Sequence, residues 1–232
     1  MALNREAEAA VRLSQEGIEA LRRLNGANDF YHLPMQLLAQ GFERLLKLTL
    51  ALAELGTTGG LPPSKRLRAD YRHDIVALTD AVVDRVANRP AYARRPAVQD
   101  DLCFIRHDAH LRQMLAVLST FGTWSRYYRL EEFLDPEGVD PEDDPDRAWE
   151  AIETEILRRD PDWIEQLDPK AGGRAFETLA RDITATLDRF ARAITRMWTL
   201  GALHEEAKRH LGTIKGFLFL RDHELGTPIR GR

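Results

Sequence analysis

The twenty-one residues from Met35 to Leu55, "MQLLAQGFERLLKLTLALAEL", constrain the fold more than any other part of the chain. Wound at 3.6 residues per turn, their apolar side chains nearly encircle the helix instead of forming one stripe. Such a helix cannot lie on a surface with one side in water, so it marks the centre of a bundle. Pro34 suits a first helical turn, and Gly56 marks the end.

The neighbouring segments repeat the helical period, and no strand alternation appears. A first helix is expected from about Leu3 to Leu24, with Ala10, Leu13, Ile18 and Leu21 inward, stopping at "NGAND". The breaker-rich "GTTGGLPPSK" connects to a third helix from about Tyr71 to Val86, which stops before "NRPAYARRP". There Asp74 opposes the positive end of the helix dipole and His73 bonds exposed backbone or a neighbouring helix. A fourth helix spans about Val98 to Leu134, with Leu102, Ile105, Leu111, Leu115 and Leu118 toward a core. The fold class is therefore all-α: an up-and-down four-helix bundle over residues 1–134.

Residues 135–146, "DPEGVDPEDDPD", hold seven acids and three prolines and read as an acidic linker, without the Asp-x-Asp-x-Asp-Gly spacing of a calcium loop. Residues 147–232 form a C-terminal helical extension: a short helix, "RAWEAIETEILRR", then a long one opening near Ala175. On it Phe176, Ile183, Phe190, Met197, His204 and Leu211 recur every seventh residue and share one stripe, with Gly201 as a bend point. His204 reads as a hydrogen-bonded core histidine. The apolar surplus on the second and last helices predicts a homodimer.

Composition limits the chemistry. With 33 basic and 37 acidic side chains the net charge is −4, which gives no overall attraction to polyanions or anionic membranes. Residues 1–134 carry 18 basic and 16 acidic side chains, so a polyanion partner has to use local patches there. A lone cysteine, Cys103, supports neither an intrachain disulfide nor a multi-thiolate zinc site. The start lacks an apolar signal segment and no run approaches a membrane span, so a cytoplasmic protein without membrane contact is expected. No Walker loop, nucleophile elbow or zinc-protease helix occurs, and "HEEAKRH" separates its histidines by too many residues.

Two Arg/His pairs carry candidate chemistry, because a guanidinium can hold a phosphate while an imidazole moves a proton. One is Arg68 and His73 in "RADYRH"; Arg68 is expected in the loop before the third helix. The other is Arg106 and His110 in "FIRHDAH", expected at i,i+4 on one face of the fourth helix. His107 and His110 with Asp101 or Asp108 have the side-chain types of metal ligands, but no duplicated Glu-x-x-His pair supports them, so neither metal nor other cofactor is expected. Basic side chains gather in two patches. Lys65, Arg66, Arg68 and Arg72 precede the third helix, and Arg85, Arg89, Arg94 and Arg95 follow it, with Tyr71 and Tyr92 interleaved. Cations with aromatics suit RNA. A third helix of about 16 residues sets the patches about 24 Å apart, too far for one small site.

The chain also resembles a known family over about residues 28–134. "LLAQGFERLLKLTL", with Glu43 and Lys47, looks like the second helix of HEPN (higher eukaryotes and prokaryotes nucleotide-binding) domains. "YRHDIVAL", with His73, Asp74 and Ile75, is similar to the start of their third helix, and "LSTFGTWSRYYRLEEF" resembles a fourth-helix ending. The resemblance implies a dimeric bundle that binds or cleaves RNA or pairs with a nucleotidyltransferase or antitoxin, in toxin-antitoxin or phage-defence systems. It also implies a catalytic Arg and His with four to six residues between them near the last bundle helix. Arg68 and His73 have the spacing and not the address; Arg106 and His110 have the address and not the spacing. The leading expectation is a dimeric RNA-binding or interaction module. A metal-free endoribonuclease and a structural assembly protein without a nucleic-acid role are the alternatives.

Overall fold

The structure, a computed structural model, describes residues 2–24, 30–161 and 174–228. The expected stop at "NGAND" lies outside the described residues. The helices are α1 (Ala2–Arg22), α2 (His32–Thr58), α3 (Ser64–Tyr71), α4 (Ile75–Ala87), α5 (Pro90–Ala93), α6 (Pro96–His107), α7 (Ala109–Thr123), α8 (Tyr128–Leu134), α9 (Pro145–Leu157), α10 (Arg174–Thr199), α11 (Glu205–Lys208) and α12 (Leu211–Leu218). Short 3-10 turns cover Ser125–Tyr127, Pro141–Asp143 and Asp222–Glu224, and the described residues contain no strand. The protein is an all-α helical bundle.

Helix α2 is its centre, touching α1, α4, α7 and α10. Met35, Leu38, Phe42, Leu45, Leu46, Leu50 and Leu52 are all buried, each contributing about 1.5–3 kcal/mol by leaving water. Gly59 ends the helix at φ 75°, donating its N–H to Leu55 O. Where α1 crosses α2, a Cβ on Gly41 would stand 2.6 Å from Ser14 N, so only glycine permits that approach.

The C-terminal extension shares this core. Phe190 of α10 meets Phe42 edge-on at 5.2 Å between ring centroids, and Trp198 Nε1 donates to Thr49 Oγ1 at 2.9 Å. Arg22 of α1 and Asp188 of α10 pair at 2.8 Å, both buried. The acidic segment separates two stretches of chain but not two cores, since buried residues from both sides form one cluster. The apolar stripes of α2 and α10, from which dimerisation was expected, are therefore covered within the chain. Exposed large apolar side chains gather on and before α8, at Trp124, Tyr127, Leu130, Phe133 and Leu134, with others scattered at Phe30, Leu33, Leu61, Leu211 and Phe219.

Four expected elements differ. Residues 64–70, expected as loop, form α3 with Tyr71 after Pro62 and Pro63, and the helix expected from about Tyr71 starts at Ile75. The fourth helix is divided: Asp108, at ψ 112°, ends α6 and caps α7 by accepting from Leu111 N at 2.9 Å, and Trp124 ends α7. The linker's Asp144 is buried and caps α9 by accepting from Asp146 N, so order begins inside the acidic run. The long helix stops at Thr199, because Gly201 turns the chain with φ 91°. His204 is consequently an exposed cap whose Nδ1 accepts from Glu206 N at 3.1 Å, not a core residue, and Leu211 opens α12 with 41% exposure.

Candidate functional site

The turn between α3 and α4 builds the site. Asp74 N donates to Tyr71 O at 2.8 Å, and Arg72 adopts φ 43°, ψ −107°. That is the first central position of a type II′ turn, where glycine is the favoured residue. A side chain held there stores strain, a feature concentrated at functional sites. Two contacts hold it: Lys47 Nζ donates to Arg72 O at 2.5 Å, and Asp74 caps α4 by accepting from Ala77 N at 2.9 Å. His73 is thereby presented to α2, its Nδ1 2.9 Å from Glu43 Oε2, while Glu43 Oε1 takes Lys47 Nζ at 2.6 Å. Gly122 of α7 lies beside it, where a Cβ would meet His73 Cβ at an ordinary contact distance of 3.4 Å.

Glu43, Lys47, His73 and Gly122 line a cleft of about 690 Å³ between α2, α3 and the end of α7. Its charged walls are Glu6, Glu43, Arg44, Lys47, Arg68 and Arg126 beside His73. Arg44 pairs with Glu6 at 2.5 Å and Lys47 with Glu43, which leaves Arg68 and Arg126 without a carboxylate among the described residues. Arg126 lies 5.1 Å from the Tyr127 ring centroid, and its Nε is buried with no hydrogen-bond partner among the described residues. Arg68 and His73 thus reach one cleft. Arg68 does so from helix α3, not from a loop.

Arg106 and His110 are not brought together. The break at Asp108 puts them on different helices: Arg106 is exposed, 3.8 Å from Asp84, while His110 is buried with Nε2 3.4 Å from Glu155 Oε1. The Gln113 hydrogen bond and then His110 hold the Glu155 carboxyl below the ordinary glutamate range. Among the described residues no three His, Cys, Asp or Glu side chains gather to hold a metal ion. Asp101, a candidate ligand by residue type, is buried and takes Arg196 Nη1 at 3.0 Å on both oxygens.

Arg66 of the first basic patch meets Arg85 and Arg89 of the second, where about 24 Å of separation was expected. Helix α3 runs back along α2, so Arg66 and Arg85 both reach Glu54 Oε2, Arg85 at 3.3 Å. Arg89 joins them, its Nη2 3.4 Å from Ala53 O and Thr57 Oγ1. Lys65, Arg72, Arg94 and Arg95 are exposed and outside both clefts. Tyr92, expected to offer a stacking face, is 1% exposed, and burial pushes its hydroxyl far above the ordinary range. Sequence reasoning passed over Arg126, although "WSRYY" interleaves that cation with aromatic rings.

Compared with protein-family models, curated proteins and solved structures, the chain matches none of them. No helix of the described residues is long and apolar enough to cross a membrane.

Proposed function

We propose that this protein is a HEPN-like bundle module that binds RNA through the cleft between α2, α3 and the Ser125–Tyr127 turn. The observation that carries this reading is a pair of guanidinium groups, Arg68 and Arg126, left over in a cleft whose other cations are already neutralised. A guanidinium offers a planar fork of donors matched to phosphate oxygens. Exposed Trp124 and Tyr127 flank Arg126 and supply faces on which unpaired bases stack. The test is fluorescence anisotropy with a single-stranded RNA across salt concentrations. Arg68→Ala with Arg126→Ala should weaken binding and flatten the log–log salt slope by about 1.4, at roughly 0.7 per phosphate contact. Absence of RNA binding, or binding indifferent to the double substitution, overturns the reading.

One observation favours the endoribonuclease as a second reading. Glu43 occupies His73 Nδ1, which orients the ring and leaves Nε2 for proton transfer beside Arg68. RNA cleavage that persists in chelator and disappears in a folded His73→Ala variant supports it; an RNA left intact by the native protein rejects it.

The reading includes a second copy of the chain, seated on the exposed ridge of Leu130, Phe133 and Leu134. Light scattering should show a dimer that Phe133→Glu converts to a monomer. A nucleotidyltransferase or antitoxin is the partner implied by the resemblance, and copurification with a coexpressed candidate tests it.

A further inference from the structure

A second cleft, of about 470 Å³, lies between the C-terminal half of α2, the start of α3 and the end of α4. Its charged side chains are Glu54, Arg66, Arg85 and Arg89, three cations on one carboxylate. Glu54 is 12% exposed at its side chain, and a single oxygen, Oε2, receives both Arg66 Nη2 and Arg85 Nη1. Arg89 has only neutral acceptors, both at 3.4 Å, near the outer limit of a hydrogen bond. A carboxylate placed merely to tie α3 to the bundle needs one of these arginines. Arg66 Nε also lies 4.0 Å from Asp70 Oδ2, so three cations meet two carboxylates and one positive charge is left over at the cleft, where Glu54 pre-orders two of the arms.

The two clefts share walls. Lys47 of the first and Glu54 of the second lie on α2 seven residues apart, two turns along the same face, or about 10 Å at 1.5 Å per residue. Helix α3 contributes Arg68 to the first and Arg66 to the second. That separation corresponds to about three nucleotides of a stacked strand at roughly 3.4 Å each.

We infer that Arg66, Arg85 and Arg89 form a second phosphate subsite, so that the ligand is an oligonucleotide strand laid along α2 across α3 and not a single nucleotide. The inference rests on the RNA reading of the first cleft and adds the ligand's length and path. It makes Arg85, near the C-terminal end of α4, and Arg89, just past it, part of the same binding surface as His73.

Anisotropy on the full chain with single-stranded RNAs of about two and about eight nucleotides tests it. Native protein should bind the longer RNA more tightly. Arg85→Ala with Arg89→Ala should abolish that gain and lower the salt slope for the longer strand by about 1.4. The charge-keeping pair Arg85→Lys and Arg89→Lys should retain the slope, and circular dichroism melts of both variants verify that they fold. If the alanine pair keeps the length-dependent gain while Arg68→Ala weakens both RNAs, the second subsite is refuted and the RNA reading stands. If native protein binds neither RNA, the RNA reading fails and this inference falls with it.

Discussion

Arg72→Gly should make the protein more stable. At φ 43°, ψ −107° the Cβ of Arg72 crowds its own backbone, which costs about 1–2 kcal/mol for a side chain on the left-handed side. The side chain is exposed and makes no ion pair among the described residues, so its loss removes little. Against the relieved strain stands the extra freedom of glycine in the unfolded chain, about 0.4–1 kcal/mol. The balance is a gain of about 0.5–1 kcal/mol, or roughly 1–4 °C in Tm for a chain of this size. Arg72→Ala is the control: it removes the same long side chain, keeps the Cβ, and should stay within about 0.5 kcal/mol of native. Thermal melts followed by far-ultraviolet circular dichroism compare the three proteins. An alanine variant as stable as the glycine variant, or a glycine variant below native, would show that the turn stores no strain.

Three further outcomes follow from the packing. Asp74→Ala removes the carboxylate that caps α4 and also accepts from Ser119 Oγ at 3.3 Å, and urea titration should show a loss of about 0.5–2 kcal/mol. Gly41→Ala drives a methyl group against the backbone of Ser14; a loss of about 1–3 kcal/mol in the same assay is expected from overpacking, and a neutral result would mean that α1 and α2 separate freely. Burial raises the Glu153 carboxyl above its ordinary value of 4.5, while the Tyr31 hydroxyl and Trp149 Nε1 hydrogen bonds act against that. The folded state therefore holds the Glu153 proton more tightly than the unfolded chain, and this residue's contribution to stability declines as pH rises through and above 4.5. Glu153→Gln should exceed native stability at neutral pH, with the difference closing as pH falls toward 4.5; a gap independent of pH would contradict this.

Local features were legible in the sequence. The Met35–Leu55 run named the central helix, and Asp74 was readable at the start of α4, because periodicity and capping depend on residues a few places apart. The division at Asp108 was less so: the apolar period continues across it, and one Asp serves equally inside a solvated face or as a cap. Counting every seventh residue carried the last stripe past Gly201 to His204 and Leu211, although that glycine's left-handed turn ends the regular path. The spacing of Arg68 and His73 was visible. Glu43, which orients that histidine from thirty residues away, was not linked to it.

By itself the sequence determined that the chain is helical and that α2 lies at the centre of the bundle, since hydrogen bonds within four residues and a 3.6-residue period are properties of short stretches of chain. Which charges meet was decided by tertiary structure alone. Arg66 and Arg85 are nineteen positions apart in the chain, yet both reach Glu54 because α3 folds back along α2. The stripes of α2 and α10 that suggested a partner are used within one molecule because α10 packs into the same core. Ion pairing acts over a few ångströms of space and is blind to distance along the chain. Only the crossing of the helices converts a scatter of arginines into two clefts on one side of α2.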